Sequence, residues 1–576
     1  MGRVWGSVVV AVALLACVTP RSSAASGPPN VIRVGGPSDP NDSKIAVVGS
    51  STNLAGKRFR VLDDTSTVVL TGKLHKAPRA RSAESGPLPW NFAETADLSS
   101  ITTPGEYRVR VGRMTSPPWD VYAGAAGDLR DTLLGFFPIA AELSSPVHAD
   151  SHTNDATLIT NNPLDPNNGQ HFDLTGGWMD AGDPDKWVFT TGFATWALEI
   201  AARMEPTIAG IQLQADTGIK WLLKMHPKGT TLFVGQVGNA AYERDHFGFR
   251  NPADDELPGA DPHVSNRPAY ETRRSDVAGK AAAALALAST LPTGESSADE
   301  LQTAQEWYAM GKASQTATND PSCNDSEDTC TYDDNEWVDD MALAGVELYN
   351  ATGTQSYLDD AYSYLQQARS TDVGAGPDAY TTDPFAAAEL CGALGGLGFG
   401  TNDQLQASCG ALAEDAGIAA GRARNAFLRA SENSISTSCR GAAEGIVALA
   451  ADRALVATTG AIAANERDYL LGRNPWGLSF VVGFSLPSTE HPYHWLADPV
   501  ANPNGAINGG EPTGWLVPGP TSRANFLSFG PGFRPAHGRF DTKYLGYADN
   551  HDLFHYNEGA VDCQASGVLL AAMLAS

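Results

Sequence analysis

The sequence predicts a mainly α protein, a toroid of two concentric rings of six helices preceded by a small all-β sandwich. Three observations predict it. Apolar residues alternate in short, β-branched runs from Val31 to Tyr122, which is a strand pattern. After Ala123-Gly124-Ala125-Ala126-Gly127 they recur every three to four residues, the spacing of amphipathic helices. About twelve helical runs then fill the remaining ~450 residues with few strand signals, and no fixed-period repeat points to an open solenoid.

In chain order, residues 1–25 read as an export signal. Arg3 supplies a positive start, Val8 to Val18 is an apolar run too short to span a bilayer, and Ser22-Ser23-Ala24 offers small residues for cleavage. Leu14-Leu15-Ala16-Cys17 also resembles a lipobox, so a lipid anchor on Cys17 is the alternative to full secretion. Residues 28–122 form the sandwich, with strands in Lys44–Val48, Arg58–Leu62, Thr67–Leu70 and Tyr107–Val111 separated by Asn, Asp, Gly and Pro. Residues 126–576 form the toroid. Asp128 is the expected N-cap of its first helix, and further helices are expected to start near Gly192, Ile211, Asp276, Asp299, Val338, Gln355, Pro384, Asn402, Arg440, Ala461 and Glu558. Length alone would suggest three or four domains, but one toroid of this size leaves two after the signal.

Composition narrows the partners. Hydrophobic residues are 42% of the chain, and 39 Lys and Arg against 66 Asp and Glu give a net charge of −27. Such a chain repels phosphate backbones and anionic surfaces, which excludes nucleic acid and leaves neutral or cationic polymers. No stretch after the signal is long and apolar enough for a membrane span. Six cysteines follow Cys17; Cys323 and Cys330 bracket a short loop and are the expected pair, while Cys391, Cys409, Cys439 and Cys563 are open between disulfides and buried thiols.

Loops carry the candidate chemistry. Gly176-Gly177-Trp178-Met179-Asp180-Ala181-Gly182-Asp183 places two carboxylates among small residues, able to hold one water between them, although calcium loops and plain Asp/Gly turns look alike. Tyr547-Ala548-Asp549 through Asn557-Glu558 sets a carboxyl among aromatics at the mouth of the last helix, where desolvation raises its pKa toward that of a general acid. Asn324-Asp325-Ser326-Glu327-Asp328 is a further acidic loop compatible with calcium.

Together these segments resemble glycoside hydrolase family 9, best known for cellulases, over essentially the whole mature chain. Gly176–Asp183 is similar to its GGW-x-DAGD loop, Leu471-Gly472-Arg473-Asn474-Pro475 and Val482-Gly483-Phe484 to its LGRNP and TGF segments, and Tyr547-x-Asp549, Phe554 and Asn557-Glu558 to its C-terminal acid motif. The region before the barrel resembles the immunoglobulin-like domain of one branch. The resemblance implies an (α/α)6 barrel and inversion, with Asp183 as base, Asp180 orienting the water and Glu558 as acid. It places Trp178, His246, Arg267, Tyr493, His494, Trp495, Tyr547 and Asp549 around the substrate.

The chain also departs from the family pattern. In His491-Pro492-Tyr493-His494-Trp495, Tyr493 and Trp495 stand where the family has a sugar-contacting His and Arg, a loss of charged hydrogen bonds of about 1.5–3 kcal/mol each. Two outcomes are open: Trp495 stacks on a pyranose face, or His494 or Arg473 replaces the lost contacts. Phe249 and Gln564 replace a Trp and an Asn. Ser151 stands where the immunoglobulin branch has a zinc-binding Cys, so no structural zinc is expected, whereas structural calcium is compatible. The expected function is a secreted, monomeric hydrolase of β-1,4-linked glucan that needs no cofactor for its chemistry. The alternatives are an exo-acting β-glucosaminidase on chitosan oligosaccharides and a non-catalytic carbohydrate-binding protein.

Overall fold

The computed structural model describes residues 28–79, 88–148, 151–159, 165–239, 250–258, 260, 267–317, 332, 334, 336–372, 376–394, 403–431, 435–459, 461–485, 487–497, 512–522, 538–542 and 544–576. The expected Cys323–Cys330 pair, the 324–328 loop, His246, Phe249 and Cys17 lie outside them.

The first domain is two antiparallel sheets. One has the order β1 (Val31–Arg33), β2 (Ile45–Ser50), β6 (Phe92–Asp97), β5 (His75–Lys76). The other runs β4 (Val68–Lys73), β3 (Arg58–Asp63), β7 (Gly105–Val111), β8 (Met114–Thr115), with β9 (Trp119–Val121) also on β7. The alternation read from sequence is visible in β7, where Tyr107, Val109 and Val111 are buried between exposed Arg108 and Arg110. They meet Val48, Phe59, Val61 and Trp119 in one core between the sheets.

Helices follow in chain order: α1 (Ala125–Leu134), a short α2 (Phe136–Ala140), α3 (Val188–Met204), α4 (Ala209–Lys224), α5 (Ser275–Ala288), α6 (Ser297–Ser314), α7 (Val338–Thr352) and α8 (Gln355–Asp372). Then come α9 (Asp383–Leu390), α10 (Asp403–Arg422), α11 (Thr437–Arg453), α12 (Ile462–Leu470), a single-turn α13 (Phe554–Asn557) and α14 (Val561–Ala575). Their neighbours close a ring. α3 packs on α5, α5 on α7, α7 on α9, α9 on α11, α11 on α14, and α14 back on α3. α1, α4, α6, α8, α10 and α12 pack outside them, alternating with the inner six along the chain. The expected (α/α)6 barrel is thus formed. Composition separates the rings: every residue of α5, rich in Ala and Leu, is buried, whereas α6 keeps Asp, Glu, Gln and Lys and buries one stripe.

Three details differ from expectation. Asp128 lies in the first turn of α1 rather than capping it; Asp39 of the first domain accepts from the backbone N–H of Gly124 at 2.7 Å and of Ala126 at 3.2 Å instead. A four-stranded sheet of β10 (Thr157–Ile159), β13 (Pro268–Glu271), β12 (Val234–Val237) and β11 (Lys186–Trp187) stands among the barrel loops, its strands too short to show a period in sequence. The four open cysteines pair as Cys391–Cys409 and Cys439–Cys563. No described helix is long and apolar enough to cross a membrane.

Candidate active site

The inner helices begin around one cavity. It has a volume of about 330 Å3 and is lined by Ala181 before α3, Tyr332 before α7, Asp378 and Tyr380 before α9, Ser436 and Arg440 at the start of α11, and Glu558 and Asp562 at the start of α14. Helix N-termini carry partial positive charge, which favours the carboxylates gathered there.

The loop from Gly176 to Lys186 forms one wall. Gly177 has φ +76°, and a Cβ on it would fall 2.6 Å from Trp221, so the turn needs glycine. Asp180 is 2% exposed and accepts from Thr190 Oγ1 and the Tyr332 hydroxyl. Its backbone N–H donates to Asp185 O at 2.8 Å, and its carbonyl accepts from Val561 N–H at 3.0 Å, tying the loop to α14. Burial, with Asp183 adding like charge, pushes the Asp180 carboxyl well above the usual range. Asp183 is half-buried, and its Oδ1 accepts from Asp185 N–H at 3.0 Å.

Glu558 also lines the cavity, and its Oε1 accepts from the Gly182 N–H at 3.2 Å. The two candidate loops, 376 residues apart in sequence, therefore touch. A Cβ on Gly182 would lie 2.6 Å from Tyr493 and 3.0 Å from Glu558 Oε1, so this glycine is required by close approach. Behind Glu558, buried Asn557 donates to the carbonyls of Ala548, Asn550 and Leu553, and accepts from the Tyr547 hydroxyl at 2.9 Å. Asp549 accepts from Thr489 Oγ1 at 2.7 Å and from the backbone of Glu490 and His491.

Beneath the Asp180 loop lies a buried ion cluster. Glu142 accepts from Lys186 Nζ, from Arg267 Nη1 at 2.8 Å and from His152 Nδ1 at 2.9 Å. Asp155 pairs with Lys186 at 2.9 Å and Arg267 at 3.2 Å, and His152 Nε2 meets Asp255 at 3.0 Å. Lys186 also donates to the carbonyls of Leu174 and Gly176, and Arg267 to Pro184 O at 2.6 Å. Both ends of the loop are thus held. Three of these residues (Glu142, His152, Asp155) bring one ligand atom each within 4.8 Å, a metal-like spacing. The donor set does not suit zinc. It has no cysteine, its carboxylates already face an ammonium and a guanidinium, and both nitrogens of His152 are engaged.

Several residues expected at the substrate are placed elsewhere. Arg267 is 1% exposed and spent on the ion cluster; Trp178 is fully buried, its ring 5.1 Å from Phe137. His494 is 3% exposed against Trp515, and burial holds its pKa down to about 3. Trp495 is 6% exposed. Arg473, the other expected replacement, is enclosed and donates to Asn465. Tyr547 and Asp549 hold loops rather than face the cavity. Tyr493 alone of the described residues in this set stands beside Glu558, at Gly182. Sequence reading missed Tyr332, Asp378, Arg440 and Asp562. Asp562 carried a signal, a carboxyl in the first turn of the last apolar helix four residues after Glu558; Arg440 lies in the first turn of α11, and Tyr332 and Asp378 come from loops with no local pattern.

With this geometry the comparisons agree. A model described as Glycosyl hydrolase family 9 matches residues 138–571, and one described as Cellulase N-terminal ig-like domain matches 39–116. Endoglucanase 14 of Arabidopsis thaliana is 28% identical over 406 residues, 59% of this chain and 78% of its own length. A metagenome-derived glycoside hydrolase family 9 endoglucanase superposes with a TM-score of 0.74 at 22% identity, covering 95% of this chain and 99% of its own. A Zn-binding triple mutant of the family 9 endoglucanase J30 gives 0.75 at 20%, covering 94% and 100%. The family match over three quarters of the chain establishes that this protein belongs to glycosyl hydrolase family 9, an enzyme family whose chemistry needs no cofactor.

Proposed function

We propose that the mature chain is a secreted, monomeric, inverting hydrolase of β-1,4-linked glucan. The contact of Gly182 N–H with Glu558 Oε1 carries this reading, because it sets a carboxyl acid and the Asp180–Asp183 pair around one point of the cavity wall. Burial, with the like charge of Asp183 beside it, raises the Asp180 carboxyl well above the usual range. Asp183, the less buried of the two, is the base that takes a proton from water. Thr190 and Tyr332 fix Asp180 so that it aligns that water. Water attacks the anomeric carbon from one face while Glu558 protonates the departing oxygen on the other, so the configuration inverts. The endoglucanases among the relatives and neighbours support glucan as substrate. Export rests on the basic and apolar N-terminal segment.

One observation favours a second substrate, a β-linked amino sugar. Among the described residues lining the cavity Arg440 is the one Arg or Lys, and it is paired at 2.7 Å with Asp378, while Asp562 adds a further carboxylate. The test is hydrolysis of cello-oligosaccharides and chitosan oligosaccharides by the wild type and Glu558→Gln, with the product anomer followed by NMR. Turnover of the glucan by wild type alone, giving the α-anomer first, supports the main reading. Turnover of chitosan oligosaccharides alone supports the second, and a β-anomer as first product overturns inversion.

A further inference from the structure

At the pole opposite the cavity the charges do not balance. Glu199 lies three turns down α3, about 16 Å from the helix start at ~1.5 Å per residue. It is 1% exposed, and neither carboxylate oxygen has a hydrogen-bond partner. With Asp216, Arg203, Gln212 and Thr293 it lines a cavity of about 140 Å3 whose remaining wall is aliphatic and proline. Asp216, on α4, accepts from Gly294 N–H at 3.3 Å.

The cations at hand are already committed. Arg203 donates to Glu389 at 2.7 Å and to Leu394 O at 2.8 Å. Lys220 is half-exposed at the rim and faces Glu295 at 4.0 Å. Burial is the largest cause that pushes the Glu199 carboxyl well above the usual range; Glu347 and Glu300 add to it, and the nearby Arg203 cation offsets only part. A desolvated carboxylate with no partner is costly, so it either keeps a proton or holds a cation.

We propose that Glu199 and Asp216 form a site for a hard divalent cation, calcium, that staples α3 to α4 at the pole remote from the cleft. Apart from the Arg203 guanidinium, which donates to Glu389 and Leu394 O, the polar side chains at the cavity offer oxygens or an amide, with no His or Cys to favour zinc. Calcium accepts two carboxylates, amide carbonyls and water in an irregular shell of 6–8 oxygens, whereas magnesium demands near-octahedral geometry. At ~30 Å3 per water the cavity holds the waters that complete such a shell. The site touches no group of the proposed hydrolysis and stands or falls separately from it.

The test uses the purified full chain freed of metal with EGTA and dialysed. CaCl2 is titrated by calorimetry and Tm is read with and without it, MgCl2 serving as control. The comparison is wild type against Glu199→Gln and, as a second variant should the first fail to fold, Asp216→Asn. The expected result is one calcium-binding event in wild type that both variants lose, and a rise in Tm of about 2–5 °C in wild type alone. In EGTA, Glu199→Gln melts at or above the wild type, because the amide removes an unpaired charge, and its glycan hydrolysis is unchanged. Equal calcium binding in wild type and Glu199→Gln, or none in wild type, overturns the proposal; none in wild type means that Glu199 is simply protonated.

Discussion

The two loops that meet at Gly182 are held in place by different physics. The Gly176–Lys186 loop rests on buried full charges: Lys186 and Arg267 against Glu142 and Asp155, with His152 bridging to Asp255. The segment from Tyr547 to Asp562 rests mostly on neutral hydrogen bonds around Asn557 and on the Cys439–Cys563 disulfide, which ties α14 to α11, with one carboxylate, Asp549, accepting from the 489–491 stretch. A charge network is cooperative and fragile, since removing one member leaves the others buried and unpaired. A web of neutral bonds fails by increments of about 1 kcal/mol per bond. One site therefore combines a wall anchored by a buried network of full charges with one anchored mostly by neutral bonds and a disulfide.

The largest expected effects test the meeting point itself. Glu558→Gln and Asp183→Asn should each lower kcat by about 10³-fold with Tm little changed, measured on the substrate that the wild type hydrolyses. A loss below tenfold in either would remove that residue from its proposed role. Breaking the charged anchor comes next. Lys186→Met should destabilise the protein by about 3–5 kcal/mol in denaturant titration, because Glu142 and Asp155 stay buried with one cation fewer.

Smaller changes sharpen the contrast. Tyr332→Phe removes a donor to Asp180 and should cut kcat by several-fold, given ~0.5–1.5 kcal/mol for such a bond, with KM unchanged. Tyr547→Phe removes a neutral hydroxyl bonded to Asn557 and Thr489 and should cost about 1–2 kcal/mol at any pH from 4 to 8. The charged anchor should behave otherwise. The Glu142 carboxyl is held down to about 2 although burial, the largest single influence, opposes this; Lys186, His152 and Arg267 outweigh it. Its contribution is therefore full above the unfolded carboxyl range near 4.5 and is lost as pH falls toward 2. His152 has a raised pKa, because Asp255 and Glu142 outweigh burial and Arg267. Its contribution is full below about 6.5 and is lost as pH rises through that raised value. The cost of Glu142→Gln should shrink from pH 5 to pH 3, whereas that of Tyr547→Phe should stay constant.

How much of this was legible in the sequence follows from the range of each interaction. The switch of period after Gly127 located the change from strands to helices, because helical and strand periodicity is written within a few turns. Asp180 with Asp183, and Glu558 separately, were readable as candidates in their own short segments, and their roles came from the family resemblance. The β10–β13 sheet was not, since its strands of two to four residues carry no period. Nor was the burial of Arg267 and His494: a charged or titratable residue in a loop motif reads as a ligand contact until its partners are known.

By itself, then, the sequence determined the fold class, the family and the chemical type of the reacting groups, all of which depend on local pattern and residue identity. The tertiary structure alone decided which side chains face the cavity. It supplied Asp39 as the cap of α1, paired Cys439 with Cys563 across 124 residues, and set Gly182 against Glu558 across 376. Each of these depends on two distant segments arriving at one point with the right burial and charge, and no window of sequence contains both partners.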